Sequence, residues 1–132
     1  MSVSIIVPTF NRRRFETLLE HNINSQTYYN IREIINLDEV FHGVATEMEV
    51  VSNDAIIFKD IPTKFDAARY HSWLASDEGF PDELTVTARD EDGGIQAIEH
   101  KSHSISAVQF HPESILTEVG EQIVRNFIEA NS

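Results

Sequence analysis

The chain contains no cysteine among its 132 residues. Disulfides and thiolate metal sites are therefore excluded, as is any thiol nucleophile of its own. Cations are scarce: 10 Lys and Arg stand against 22 Asp and Glu, for a formal net charge of -12. Such a charge argues against nucleic acid or an anionic membrane surface as a partner, since both are polyanions. No apolar run reaches the roughly 18 residues of a membrane span. The Met1 end lacks a basic region followed by an apolar stretch and a small-residue cleavage site, so no secretory signal is evident and the expected location is the cytoplasm. No internal repeat or low-complexity segment is visible. The length suits one domain with a modest core, and we expect a single compact domain over residues 1–132.

The first third alternates strand and helix patterns. Ser2 to Thr9 holds Val3, Ile5, Ile6 and Val7 and stops near Pro8, which reads as a buried strand. Phe15, Leu18, Leu19 and Ile23 then recur at the spacing of one helical face. Ile31 to Ile35 reads as a second strand, completing a β-α-β unit of the kind found in parallel sheets. Arg12-Arg13-Arg14 offers charge for a phosphate, but a solvated helix start explains it more simply.

Ser4-Ile5-Ile6-Val7-Pro8-Thr9-Phe10-Asn11-Arg12, followed by Ser25-Gln26-Thr27-Tyr28-Tyr29-Asn30-Ile31, resembles the start of a family 2 glycosyltransferase. That resemblance implies an acidic Asp-Asp pair after the next strand. Asn36-Leu37-Asp38-Glu39-Val40 stands there instead, and no later Asp-x-Asp motif follows in the expected place. Residues 2–35 are thus read as a glycosyltransferase-like segment without its chemical residues.

Beyond Asn36 the pattern turns to strands. Leu37 to Val44 is amphipathic and ends at His42-Gly43, a turn or sheet edge, and Ala45 to Val51 reads as a strand. Ser52-Asn53-Asp54 offers an N-cap for a short helical turn over Ala55 to Lys59. Phe65 to His71 is the next strand. Leu84, Val86 and Ala88 alternate with Thr85 and Thr87, Asp92-Gly93-Gly94 supplies a tight turn, and Ile95 to Glu99 returns: a β-hairpin. Its tip, Arg89-Asp90-Glu91-Asp92, reads as a solvated turn rather than a metal site. His100 and His103 give at most two metal ligands, with no third implied nearby. Thr117 is a candidate cap for a last helix, with Glu118 and Glu121 near its positive end and a buried stripe of Ile123, Val124, Phe127 and Ile128.

The stretch with the most chemistry is Ala107-Val108-Gln109-Phe110-His111-Pro112-Glu113-Ser114. Val108 and Phe110 alternate as in a short buried strand that ends at Pro112, which has no backbone donor. His111 and Glu113 thus lie two apart at a strand end. A carboxylate so placed orients an imidazole, and an oriented imidazole is a general base. From His-x-Glu alone an ordinary strand-end turn is the commoner explanation.

Gln109-Phe110-His111-Pro112-Glu113-Ser114 with Ile115-Leu116-Thr117-Glu118 resembles the end of class I glutamine amidotransferase domains, most closely the glutaminase subunit of anthranilate synthase and its aminodeoxychorismate synthase relative. Arg69-Tyr70-His71-Ser72-Trp73 is similar to that family's Arg-Tyr-His-Ser-Leu segment, and Phe41-His42-Gly43 to its His-Gly turn. The resemblance implies His111 as general base and Glu113 as its orienter. It implies that the backbone of Ser72 and Trp73 holds the substrate L-glutamine; Trp73 departs from the usual Leu and is read equally well as an aromatic core or interface residue. His71 is read equally well as a packing or hydrogen-bonding strand residue. A three-layer α/β sandwich follows from the same likeness: flavodoxin-like, truncated, with a mainly parallel sheet and an antiparallel hairpin extension. Residues 36–132 would be the C-terminal part of such a domain.

The family attacks the glutamine amide with a Cys on a sharp strand-to-helix elbow. This chain has neither a Cys nor a Gly-x-Ser-x-Gly or Gly-x-Cys-x-Gly elbow. The ancestral reaction would be glutamine hydrolysis, with ammonia passed to a chorismate-using synthase subunit in tryptophan or folate biosynthesis. No cofactor or metal is implied. We expect the chain by itself to be inactive. The alternatives are a non-catalytic interaction or structural module and, less favoured, a glycosyltransferase remnant. The two likenesses meet near Asn36, a pattern that a natural fusion, an assembly error and a constructed chimera would all produce.

Overall fold

A computed structural model describes residues 34–36, 41, 43–71 and 73–132. The strand expected over Ser2 to Thr9, the helix from Arg13 to Asn24, most of the stretch from Leu37 to Val44, and residues His42 and Ser72 lie outside the described residues. The strand elements are β1 (Ile34–Asn36), β2 (Val44–Val50), β3 (Lys64–Arg69), β4 (Trp73–Ala75), β5 (Leu84–Asp90), β6 (Ile95–His100) and β7 (Ser106–Val108). A 3-10 turn (Ile56–Phe58) lies between β2 and β3, and helix α1 (Gly120–Ala130) closes the chain.

Five strands form one sheet in the order β3-β2-β5-β6-β7, and β1 pairs separately with β4. Every pairing among the described residues is antiparallel. This corrects the expectation of a mainly parallel three-layer sandwich. A parallel pair needs a crossover of a dozen or more residues, usually helical. The hairpin between β5 and β6 turns within four residues, 91–94, and the link from β6 to β7 spans 101–105. The longer link from β2 to β3 carries the 3-10 turn and brings the chain back antiparallel. The expected hairpin is present, with a bulge near Val86 and Ala88.

Alternation explains the core. On β2, Met48 and Val50 point inward, and on β3, Phe65 and Ala67 do; Met48 stands opposite Phe65. Glu47 and Lys64 point outward and pair at 2.8 Å. Phe65 meets Phe58 at 5.8 Å and Phe110 edge-on at 5.7 Å between ring centroids. Ala88, Ala97, Val108, Ile123 and Phe127 complete the cluster.

Helix α1 buries Ile123 and Phe127 as expected, but not the whole stripe: Ile128 is 59% exposed. The helix is rolled so that Asn126 faces the 3-10 turn. Its Nδ2 donates to the Ile57 carbonyl at 2.9 Å and the Lys59 carbonyl at 2.7 Å, satisfying oxygens the short turn leaves open. The expected side-chain cap from Ser52-Asn53-Asp54 is absent. Ala55 holds the cap position, and its amide donates to the Ser52 carbonyl at 3.3 Å.

His100 is buried at the open end of the hairpin, opposite Leu84, and its Nδ1 accepts backbone N–H bonds from Ser102 at 3.1 Å and His103 at 3.0 Å. Burial, helped by His103 and opposed by Glu83, lowers its pKa. The neutral ring is thus the native form. Its contribution to stability is full above the unfolded-state value of about 6.5 and is lost as pH falls through the lowered folded value. The urea midpoint should drop on acidification from neutral pH, and the drop should be smaller in His100→Gln. An equal drop in the variant would assign the effect to other groups.

Candidate functional site

The site is built where β3 ends. Strand β3 has β2 on one edge; at Ala68 the other edge receives an isolated antiparallel bridge from His111. The His111 amide donates to the Ala68 carbonyl at 3.0 Å. The reciprocal bond is not made directly. Thr117 Oγ1 accepts from the Ala68 amide at 2.9 Å and donates to the His111 carbonyl at 2.7 Å. Its hydroxyl therefore stitches the turn to the strand. The expectation that Thr117 caps the last helix is corrected: α1 starts at Gly120, Val119 holds the cap position, and no side-chain cap bond forms there. The sequence places the residue at the right end of the helix, but the open groups at Ala68 and His111 claim it first.

Thr117→Val takes the hydroxyl from the buried Ala68 N–H and leaves the His111 carbonyl with the Ser114 amide. We expect a loss of about 1–3 kcal/mol in chemical denaturation, with faster amide exchange at Ala68. A change near zero, with slow exchange kept at Ala68, would show that water replaces the hydroxyl.

Pro112 is buried, and the turn closes through Ser114 N–H to the His111 carbonyl at 3.2 Å and Thr117 N–H to the Ser114 carbonyl at 2.9 Å. A Cβ on Gly120 would overlap the Pro112 carbonyl oxygen, so the helix start and the turn meet backbone to backbone. Within this frame His111 Nδ1 lies 2.6 Å from Glu113 Oε1. The imidazole is 17% exposed and the carboxylate 65%. Partial burial pushes the Glu113 carboxyl up. The His111 hydrogen bond, its own backbone N–H and the His111 charge together outweigh this, and the group sits below its usual value. With Nδ1 engaged by the carboxylate, Nε2 is the nitrogen left to take a proton. Tyr70 stands edge-on to the imidazole at 4.9 Å between centroids.

Of the four residues singled out in the sequence, His111 and Glu113 are brought into contact. Trp73 is placed through its backbone in β4, opposite Asn36 of β1, and Ser72 lies outside the described residues.

Beside these residues is a buried network that sequence reasoning missed. Arg69 donates from Nη2 to Asp90 Oδ2 at 2.9 Å and from Nε to His71 Nε2 at 3.0 Å. Its guanidinium lies 3.6 Å above the Phe41 ring. Arginine is only ever a donor, so His71 Nε2 must be the accepting nitrogen and the ring proton resides on Nδ1. Asp90 also accepts from the Asp92 and Gly94 amides and from Gln96 Nε2. The side chains of Arg69 and Asp90 are each 3% exposed. Asp90 is therefore no part of a solvated tip, which corrects that expectation. The signal was present: the alternation that turns Phe65 and Ala67 inward turns Arg69 inward too, and Asp90 follows Ala88 by two.

The described residues hold no group of three or more His, Asp or Glu side chains suited to a metal, and none of their helices is long and apolar enough to cross a membrane.

This geometry can be set beside known proteins. The profile of glutamine amidotransferase class-I matches residues 19–130. The chain belongs to that family. It is 43% identical over 95 residues to a Haemophilus influenzae protein provisionally named anthranilate synthase component II, a match that covers 72% of the chain and 49% of that protein. With the Bacillus subtilis aminodeoxychorismate/anthranilate synthase component 2 it shares 36% identity over 115 residues, 87% of the chain and 57% of the relative. Among solved structures, a Thermoplasma acidophilum protein provisionally described as part of a GMP synthase superposes with a TM-score of 0.66 at 29% identity, over 74% of this chain and 47% of that one. The chain thus spans about half the length of the curated relatives it matches. The amidotransferase match begins at residue 19 and runs through the expected junction near Asn36. The glycosyltransferase-like reading of residues 2–35 finds no support in these comparisons.

Proposed function

We propose that this class I glutamine amidotransferase chain carries the base-bearing portion of an anthranilate synthase component II-like site. His111 is the general base and Glu113 its orienter. L-glutamine is the ancestral substrate, and ammonia goes to a chorismate-using synthase subunit. The backbone of Ser72 and Trp73 would hold the glutamine. The observation that carries this reading is the 2.6 Å contact between His111 Nδ1 and Glu113 Oε1, fixed on a turn that is itself bonded to β3. A carboxylate on Nδ1 sets the tautomer that leaves Nε2 basic, the arrangement needed to deprotonate a thiol.

The chain has no cysteine to be deprotonated. By itself it should bind or relay but not hydrolyse, because loss of the nucleophile commonly removes most of the acceleration of such a site. The test is glutamate release from glutamine, with and without a chorismate-binding synthase subunit. No release above background is expected from the chain alone. Release that disappears in His111→Ala would overturn the claim of inactivity and point to a substitute nucleophile.

A further inference from the structure

We infer that Tyr70 is a positioning residue for His111, a ring wedged between the Gly43 backbone and the imidazole that fixes the direction of Nε2. This rests on the reading of His111 and Glu113 as base and orienter.

Three contacts carry it. Gly43 has φ +68, and a Cβ there would lie 3.2 Å from Tyr70 Cε1 and 3.4 Å from the Tyr70 hydroxyl. The site thus needs glycine twice over, for the left-handed backbone and for the closeness of the ring. The Gly43 amide donates to the Arg69 carbonyl at 2.9 Å, so the backbone behind the ring is tied to the residue next to Tyr70. The same ring meets His111 at 76° between planes and 4.9 Å between centroids, within the range of favourable edge-to-face pairs.

Glu113 alone cannot hold the imidazole. One hydrogen bond to Nδ1 leaves the ring free to tilt about that bond, and the carboxylate that makes it is 65% exposed. The backbone bridge from His111 to Ala68 fixes the Cα but not the side-chain torsions. Tyr70 is the wall that removes the remaining freedom. The ring is the part that meets the imidazole, so phenylalanine should hold it better than an aliphatic residue.

The experiment is side-chain NMR of the full chain with labelled histidine. It follows water exchange of the His111 Nδ1 proton shared with Glu113. Tyr70→Phe, which keeps the ring, should exchange more slowly than Tyr70→Leu. Tyr70→Leu should exchange about two- to tenfold faster, the span expected for losing one aromatic pair. Amide exchange in β5 and β6 should not change, which separates positioning from general loosening. Exchange at the unmodified rate in a folded Tyr70→Leu would overturn the inference. Should that variant fail to fold, the unmodified protein decides. Cross-relaxation between the Tyr70 and His111 ring protons supports the wedge, and its absence refutes it. The measurement needs neither glutamine nor a thiol. A failure here therefore leaves the glutaminase reading standing, and a failure of that reading leaves this result intact.

Discussion

Asp90→Ala should destabilise the protein by about 3–5 kcal/mol, because it breaks a buried ion pair by removing the carboxylate that Arg69 bonds. The loss extends past the ion pair. Asp90 Oδ1 is also the acceptor for the Asp92 amide at 3.0 Å and the Gly94 amide at 2.8 Å, so the hairpin tip loosens too. Pairing Asp90→Asn with Arg69→Met should recover most of the stability. The asparagine oxygen still serves the two amides, and no charge is left buried. Gln96, whose Oε1 has no partner, can turn its amide to accept from the new Nδ2. Urea denaturation of the single and double variants tests this. A single-variant loss under about 1 kcal/mol, typical of an exposed pair, would mean that Arg69 reaches water once Asp90 is gone.

The second large effect is expected from Gly120→Ala. An alanine usually helps a helix, by about 1 kcal/mol over glycine in its interior. Here the added methyl would overlap the carbonyl oxygen of Pro112. Both partners are backbone, so no rotamer change relieves the overlap, and helix and turn must separate. We expect a loss of about 3 kcal/mol or more, at the upper end of overpacking effects. The separation would act on the site directly, since Pro112 lies between His111 and Glu113. The shared Nδ1 proton of His111 should lose its protection. Stability within about 0.5 kcal/mol of the unmodified protein would show that the turn is free to move away.

What was legible in the sequence was local. The hairpin of β5 and β6, the strands at β2 and β3 and the helix at the end follow from short-range periodicity and turn residues, and all are found. His111 and Glu113 were legible because they lie two apart, so a single turn suffices to join them. The direction of the strands was not legible. Periodicity along a strand is the same whichever way its neighbour runs, and it is the pairing of the folded strands that makes the described sheet antiparallel.

The sequence by itself determined the family, the absence of a thiol, and the His-Pro-Glu turn that brings His111 to Glu113. The tertiary structure alone decided what holds that turn in place. Thr117 reaches Ala68 across 49 positions, and Arg69 reaches Asp90 across 21. Such pairings are fixed by which strand edges and buried charges need partners after the chain has folded. Thr117 reads as an ordinary cap and Asp90 as a solvated turn residue until the fold buries the Ala68 amide and the Arg69 guanidinium beside them.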